Sequence, residues 1–202
     1  MLEPRIQQHF FESADLSYQA AESLARPIAE AAQAVVDCVT SGGRIWLHGR
    51  GPALAPAQLL GDALAGRFER DRPGLAALVL GVDAMPLSRE RATPAQEPAL
   101  QQLRILGQPG DVLVAFAARA DDALFAALVE GAHDRECSVV AVTGRISTTD
   151  PNAQADGSAL AETDVWIAVP HERPARICEL QLLASHALCD AIDLQLLGDV
   201  EL

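Results

Sequence analysis

Lysine is absent from the sequence: all 15 basic side chains are arginine, set against 28 acidic ones for a formal net charge of −13. That balance argues against direct nucleic-acid binding, which needs a basic face to displace counterions. An anionic small molecule would have to be met by a local cluster of arginines working against the overall field. No apolar run is long enough to span a bilayer, and the opening MLEPRIQQHF lacks the basic-then-apolar order of a secretory signal. The expectation is a cytoplasmic protein with no membrane partner. Cys38, Cys137, Cys178 and Cys189 show no CxxC spacing, and no group of His, Cys and acids has the spacing of a metal site. Reduced, buried thiols, no metal and no cofactor are expected.

Half of the 202 residues are hydrophobic, enough for one globular domain with a substantial core. Its centre is Gly42 to Leu64, GGRIWLHGRGPALAPAQLLGDAL. A glycine pair ends a helix, Arg44 to His48 forms a strand, Gly49-Arg50-Gly51 turns the chain, and an Ala/Leu-rich helix follows. A strand running through glycines into a helix is how α/β proteins build a phosphate site, because the helix start offers free N–H groups and a positive dipole end. Gly-Lys-[Ser/Thr] is missing, so this is no nucleoside-triphosphate P-loop. Pro56 has no N–H, which predicts a helix start near Ala55 or Pro56.

Periodicity places a helix over Pro4 to Leu24 and a second one from Pro27, ended by Ser41-Gly42-Gly43. Leu75 to Leu80, Asp111 to Phe116, Ser138 to Val142 and Val165 to Val169 read as further strands. Helices are expected near Ala99 to Leu106, from Asp121 to Asp134, and from Pro174 to about Leu197, with loops over residues 81–98 and 150–157. Continuous apolar strands alternating with helices imply a parallel sheet covered on both faces. Ligands of such sheets bind beyond the carboxyl ends of the strands. That points to three loops: Gly49 to Pro56, Ala117 to Asp122, and His171 to Pro174. Trp46 and Trp166, on strands, are expected in the core. His48 and His171 lie near the pocket with nothing else to mark them.

RIQQHFFES, SGGRIWLHGRG, GRFERDRPGLAAL, PGDVLVAF, VVAVTG and VPHERPARICELQLLASHALCDAIDLQLL together resemble the SIS (sugar isomerase) family along nearly the whole chain. The likeness is to phosphoheptose isomerases and to the DnaA initiator-associating (DiaA) proteins, the RDRPGLAAL and LCDAID segments looking closer to the latter. The resemblance implies a three-layer α-β-α sandwich with a five-stranded parallel sheet. Residues 1–41 would be an N-terminal helical segment, 42–170 the α/β core and 171–202 the C-terminal helix of a single SIS domain. A homotetramer is also implied, its interface supplied largely by the terminal helices.

Departures from the family pattern shape the functional expectation. The family's first loop carries a serine that holds the sugar phosphate, and here it reads Gly49-Arg50-Gly51-Pro52-Ala53. The hydroxyl-rich loop after the third strand is replaced by Ala117-Ala118-Arg119-Ala120-Asp121-Asp122. Gly49, Arg50, Gly51 and Arg119 remain candidates for an anion, with arginine well shaped for phosphate. Equally, Arg50 and Arg119 could pair with Asp121 and Asp122. The isomerase base, a glutamate, falls at Ala63, and its histidine partner, two residues after a glutamate, falls at Gln181. Asp62, Glu179 and His186 are vestigial candidates, although Asp62 lies about 100° around the helix from Ala63. Glu179 also suits a structural pair with Arg176, and His186 a core or interface position. Pro52, Leu54 and Pro56 predict a narrowed, more apolar pocket.

Those losses favour a non-catalytic tetramer resembling DiaA, which binds the replication initiator DnaA and promotes its assembly. Leu196 and Leu197 would be its partner-binding pair. The alternative is a phosphoheptose (sedoheptulose 7-phosphate) isomerase or a phosphosugar-binding sensor.

Overall fold

A computed structural model of the chain describes residues 2–82, 97–120, 122–145 and 159–199. Asp121 and most of the two loops expected over 81–98 and 150–157 lie outside the described residues. The first element, α1 (Leu2–Thr40), is one helix and not the expected pair. Pro27 removes a single N–H and crowds one carbonyl, but Leu16, Ala20, Leu24, Ala31, Val35 and Val36 form a buried stripe on both sides of it. Burying each large side chain of that stripe contributes about 1.5–3 kcal/mol, which outweighs one missing hydrogen bond. Among the described residues no helix is long and apolar enough to cross a membrane.

The remaining elements alternate. They are β1 (Ile45–Gly49), a 3-10 turn (Gly51–Ala53), α2 (Leu54–Ala65), β2 (Ala77–Val79), α3 (Pro98–Leu106), β3 (Val112–Ala117), α4 (Ala123–His133), β4 (Ser138–Gly144), β5 (Val165–Val169) and α5 (Pro174–Leu197). β2 is shorter than its apolar run suggested because the Leu75 N–H donates to the Leu64 carbonyl at the end of α2 instead of joining the sheet. α2 starts slightly earlier than expected, since Pro52 opens the 3-10 turn and the turn runs directly into the helix.

All strand pairs are parallel, in the order β2-β1-β3-β4-β5. Side chains alternate across the pleat. Ile45 and Leu47 of β1, with Val112 and Val114 of β3 and Val140 and Val142 of β4, pack against α1, α2 and α5. Trp46, Leu113, Ala115, Val139 and Ala141 pack against α3 and α4 on the other face. The result is a three-layer α-β-α sandwich. Trp46 is buried as expected, and its Nε1 donates to Asp111 Oδ2 at 2.8 Å. Trp166 is only half-buried, and its Nε1 donates to Thr143 Oγ1. All four cysteines are free thiols; three are buried and Cys178 is half-buried.

This strand order creates a crevice. The chain leaves β1 toward α2 on one face of the sheet and leaves β3 toward α4 on the other, so among the described residues no element runs continuously over the gap between the two strand ends. β1 and β3 pair from Ile45 with Val112 through Gly49 with Phe116, which brings their carboxyl ends level.

Candidate functional site

A cavity of about 210 Å3 opens where β1 and β3 end. Its polar lining comes from His48, Arg50, Arg119 and Asp122, and its apolar wall includes Phe116, Leu124 and Phe125. Of the three loops expected to matter, the first two line it and His171 to Pro174 does not. The cavity is partly apolar as expected, but for a different reason. Pro52, Leu54 and Pro56 are absent from its lining, and the phenylalanines supply that character.

The glycine turn is built for close approach. A Cβ on Gly49 would lie 2.0 Å from the Ala53 carbonyl oxygen, so the 3-10 turn folds directly over this residue. Gly51 has φ +57°, a left-handed conformation that side chains resist. Arg50 between them is extended and directs its guanidinium outward. Its Nη1 lies 4.0 Å from Glu97 Oε1, with the arginine side chain 70% exposed. A salt bridge to Asp122 or to Asp121, which lies outside the described residues, is one of two expectations for Arg50. Its observed ion partner is Glu97, contributed by the residue just before α3.

Asp122 is engaged differently. Its Oδ1 accepts hydrogen bonds from the Leu124 and Phe125 N–H groups at 2.9 and 3.1 Å, capping α4. The helix end that could have met a phosphate already holds an internal carboxylate. An anion in this cleft therefore relies on arginine. His48, 9% exposed, sits at the floor. Burial pushes its imidazole down to about 4 and the Arg50 cation adds to that, while a hydrogen bond to the Leu80 backbone and the Asp122 carboxylate act in the opposite sense. The ring is neutral at physiological pH.

The vestigial catalytic candidates lie elsewhere. Asp62 is exposed on α2. Ala63, at the position of the family's base, is buried in the core and passes its carbonyl to Arg72. Gln181 is 1% exposed and donates from Nε2 to the Ala117 and Val142 carbonyls, both at 2.8 Å. It ties α5 to the ends of β3 and β4 and has no free acid–base role. Glu179 joins a cluster between α1 and α5. It accepts from Arg176 and from Ser13 Oγ, while the other face of Arg176 meets His9 Nδ1 at 2.7 Å. The expected structural pair with Arg176 is thus present. His186 is exposed, not in the core, and stacks on Phe68 with ring centroids 5.6 Å apart. Leu196 packs against the core, whereas Leu197 is 41% exposed, so the two do not form one exposed patch. Among the described residues no cluster of His, Cys, Asp or Glu could hold a metal ion.

A parallel sheet in this order, with a cleft at its switch point, defines an open, doubly wound α/β protein. The chain belongs to the SIS domain family, whose pattern matches residues 8–144. It is 47% identical over 204 residues to a phosphoheptose isomerase of Methylibium petroleiphilum, covering 100% of this chain and 98% of that protein. It is also 40% identical to a phosphoheptose isomerase of Thiobacillus denitrificans, covering 98% of each. Among solved structures, phosphoheptose isomerase GmhA from Neisseria gonorrhoeae superposes with a TM-score of 0.81 at 33% identity, covering 96% of this chain and 99% of that one. A phosphoheptose isomerase from Francisella tularensis gives 0.83 at 29% identity, covering 96% of this chain and 98% of that one. These relatives correct the leading expectation. They support the phosphoheptose isomerase alternative and lend nothing to an initiator-binding scaffold.

Proposed function

We propose that this chain binds a phosphorylated heptose of the sedoheptulose 7-phosphate class in the cleft beyond β1 and β3, and acts on it as an aldose–ketose isomerase. The carrying observation is the conjunction of full-length likeness to phosphoheptose isomerases with an open cleft lined by two arginines where β1 and β3 end. Arg50 and Arg119 take the phosphate, each charge-assisted hydrogen bond contributing about 1.5–3 kcal/mol. Gly49 and Gly51 shape the loop that presents Arg50. Isomerisation moves a proton between neighbouring carbons and needs a positioned base and acid. Among the described residues that line the cleft, the proton-accepting groups are Asp122 and the neutral ring of His48. Turnover rests on these, or on groups that a second copy of the chain brings to the cleft.

Ala63 and Gln181 favour a second reading, a protein that holds the phosphosugar without converting it, because neither side chain titrates and both are committed to packing. One experiment separates the readings: titration calorimetry and a coupled isomerase assay with sedoheptulose 7-phosphate on the wild type and on Arg50→Ala/Arg119→Ala. Turnover and binding that both fall about 10-fold or more in the double variant, a change worth about 1.4 kcal/mol, support the isomerase. Binding without turnover establishes the sensor. Absence of both at millimolar ligand defeats the cleft reading.

Assembly as a homotetramer belongs to the same proposal. It is supported by apolar side chains left exposed on the two terminal helices, Phe10, Phe11 and Tyr18 on α1 and Leu183 on α5. The groove between these helices, about 250 Å3 and lined by Leu24, Ile28, Leu180 and Leu183 among others, continues that apolar surface.

A further inference from the structure

The arginines of the cleft, like backbone N–H groups, can only donate hydrogen bonds. They suit a phosphate, but a sugar also carries hydroxyl groups that must themselves donate to something once they leave water. Asp122 supplies an acceptor. It is an exposed residue that lines the cavity together with Arg50 and Arg119. Its Oδ1 takes the Leu124 and Phe125 N–H groups at 2.9 and 3.1 Å, and two bonds to one oxygen hold the carboxylate in place. A carboxylate accepts at both oxygens, so the helix cap leaves Oδ2 for a ligand.

The same group brings a charge. Asp122 stands at the start of α4 (Ala123–His133), where amides and helix dipole would otherwise draw an anion. A phosphate placed there meets a like charge, and like charges brought together on binding are strongly disfavoured. Arg50 comes from the turn after β1 and Asp122 from the join of β3 and α4, so cation and carboxylate reach one cleft from different loops. The His48 ring feels both, in opposite senses. The cleft is therefore polarised. Resting on the cleft reading above, we infer that Asp122 is a specificity-determining residue. Its Oδ2 accepts a hydrogen bond from a sugar hydroxyl, and its charge keeps phosphate away from the start of α4. The ligand then lies with its phosphate on Arg50 and Arg119 and its polyol end toward α4. Such a cleft takes sugars phosphorylated at one end and rejects those phosphorylated at both, because the second phosphate would replace a hydroxyl donor with an anion facing Asp122.

The test is titration calorimetry of wild type and Asp122→Asn against sedoheptulose 7-phosphate and sedoheptulose 1,7-bisphosphate. Asparagine keeps an oxygen to cap α4 and nearly the same size, but it loses the charge and offers a donor in place of Oδ2. The wild type is expected to bind the monophosphate about 10-fold or more tightly than the bisphosphate. In Asp122→Asn the monophosphate should bind more weakly and the bisphosphate more tightly, bringing the two within about 3-fold. A preference retained in Asp122→Asn means that size or another group sets it, and overturns the inference. Both ligands gaining or both losing affinity together also overturns it, since a change in overall field or in folding would act on both alike. Should Asp122→Asn fail to fold, the wild type alone decides: a monophosphate preference below about 10-fold overturns the assignment. A wild type that binds both ligands equally sinks this inference and leaves the cleft reading standing. A wild type that binds neither sinks the cleft reading and this inference with it.

Discussion

Arg72 and Asp193 are 121 residues apart in sequence and meet at 2.5 Å, with side chains 2% and 1% exposed. The guanidinium also donates to the Ala63 and Leu64 carbonyls, both at 2.9 Å, which caps the last turn of α2. Removing one member of such a pair leaves the other buried and uncompensated, a loss of about 3–5 kcal/mol. Arg72→Ala is therefore expected to lower unfolding free energy by that amount in urea titration, and Arg72→Met/Asp193→Leu to recover part of it. A loss below about 1 kcal/mol would mean that the pair acts like an exposed salt bridge. His48 makes a separate prediction. Its folded value of about 4 lies below the ordinary 6.5, so between these two the unfolded chain holds a proton that the folded chain refuses. Stability is full above the upper value and declines as pH falls toward the lower one, by about 2–3 kcal/mol. Urea midpoints measured from pH 7 to pH 4 should fall more steeply for the wild type than for His48→Asn, and parallel curves would contradict the assignment.

At the level of elements, the join between β1 and α2 is tightly constrained. Ala53 turns back so closely over Gly49 that a methyl group there collides with backbone rather than with a movable side chain. Gly49→Ala is expected to cost about 1–3 kcal/mol of stability through overpacking and to weaken sugar-phosphate binding by displacing Arg50. A thermal melt and one calorimetric titration check both, and an unchanged Tm would show that the turn relaxes. The other elements were legible to differing degrees. DVLVAF, SVVAV and VWIAV are strands because β-branched apolar runs of this length suit a sheet buried on both faces, and Pro174 marks the start of α5 because its missing N–H is not needed there. The continuity of α1 through Pro27 was not legible, because local propensity favours a break at proline and only packing against α5 and the sheet overrides it.

For the whole molecule, the terminal helices decide the surface. Phe10, Phe11 and Tyr18 on α1 and Leu183 on α5 are exposed in the single chain, and contiguous apolar exposure usually marks an interface. Light scattering with size exclusion is expected to give four times the 21.4 kDa chain mass. Leu183→Glu should shift the population to smaller species, whereas a monomeric wild type at micromolar concentration would remove the tetramer from the proposal. On the tetramer proposal, assembly would also bear on activity, since a copy packed over the cleft would be one source of the acid–base groups that Ala63 and Gln181 do not supply.

By itself the sequence determined the class of fold, the five strands, the position of the glycine turn and the loss of the family's phosphate-holding hydroxyls. Each is a matter of local pattern or of residue identity at one site, which chemistry along the chain can express. The tertiary structure alone decided what the candidate residues do. It sent Glu179 into a cluster between α1 and α5, set Gln181 to hold two strand ends, turned Asp122 into a helix cap, and buried His48 at the edge of the cleft. Those outcomes depend on which side of the sheet each helix crosses and on which distant groups meet there. A hydrogen bond is decided within a few tenths of an ångström, and no spacing in a sequence carries that information.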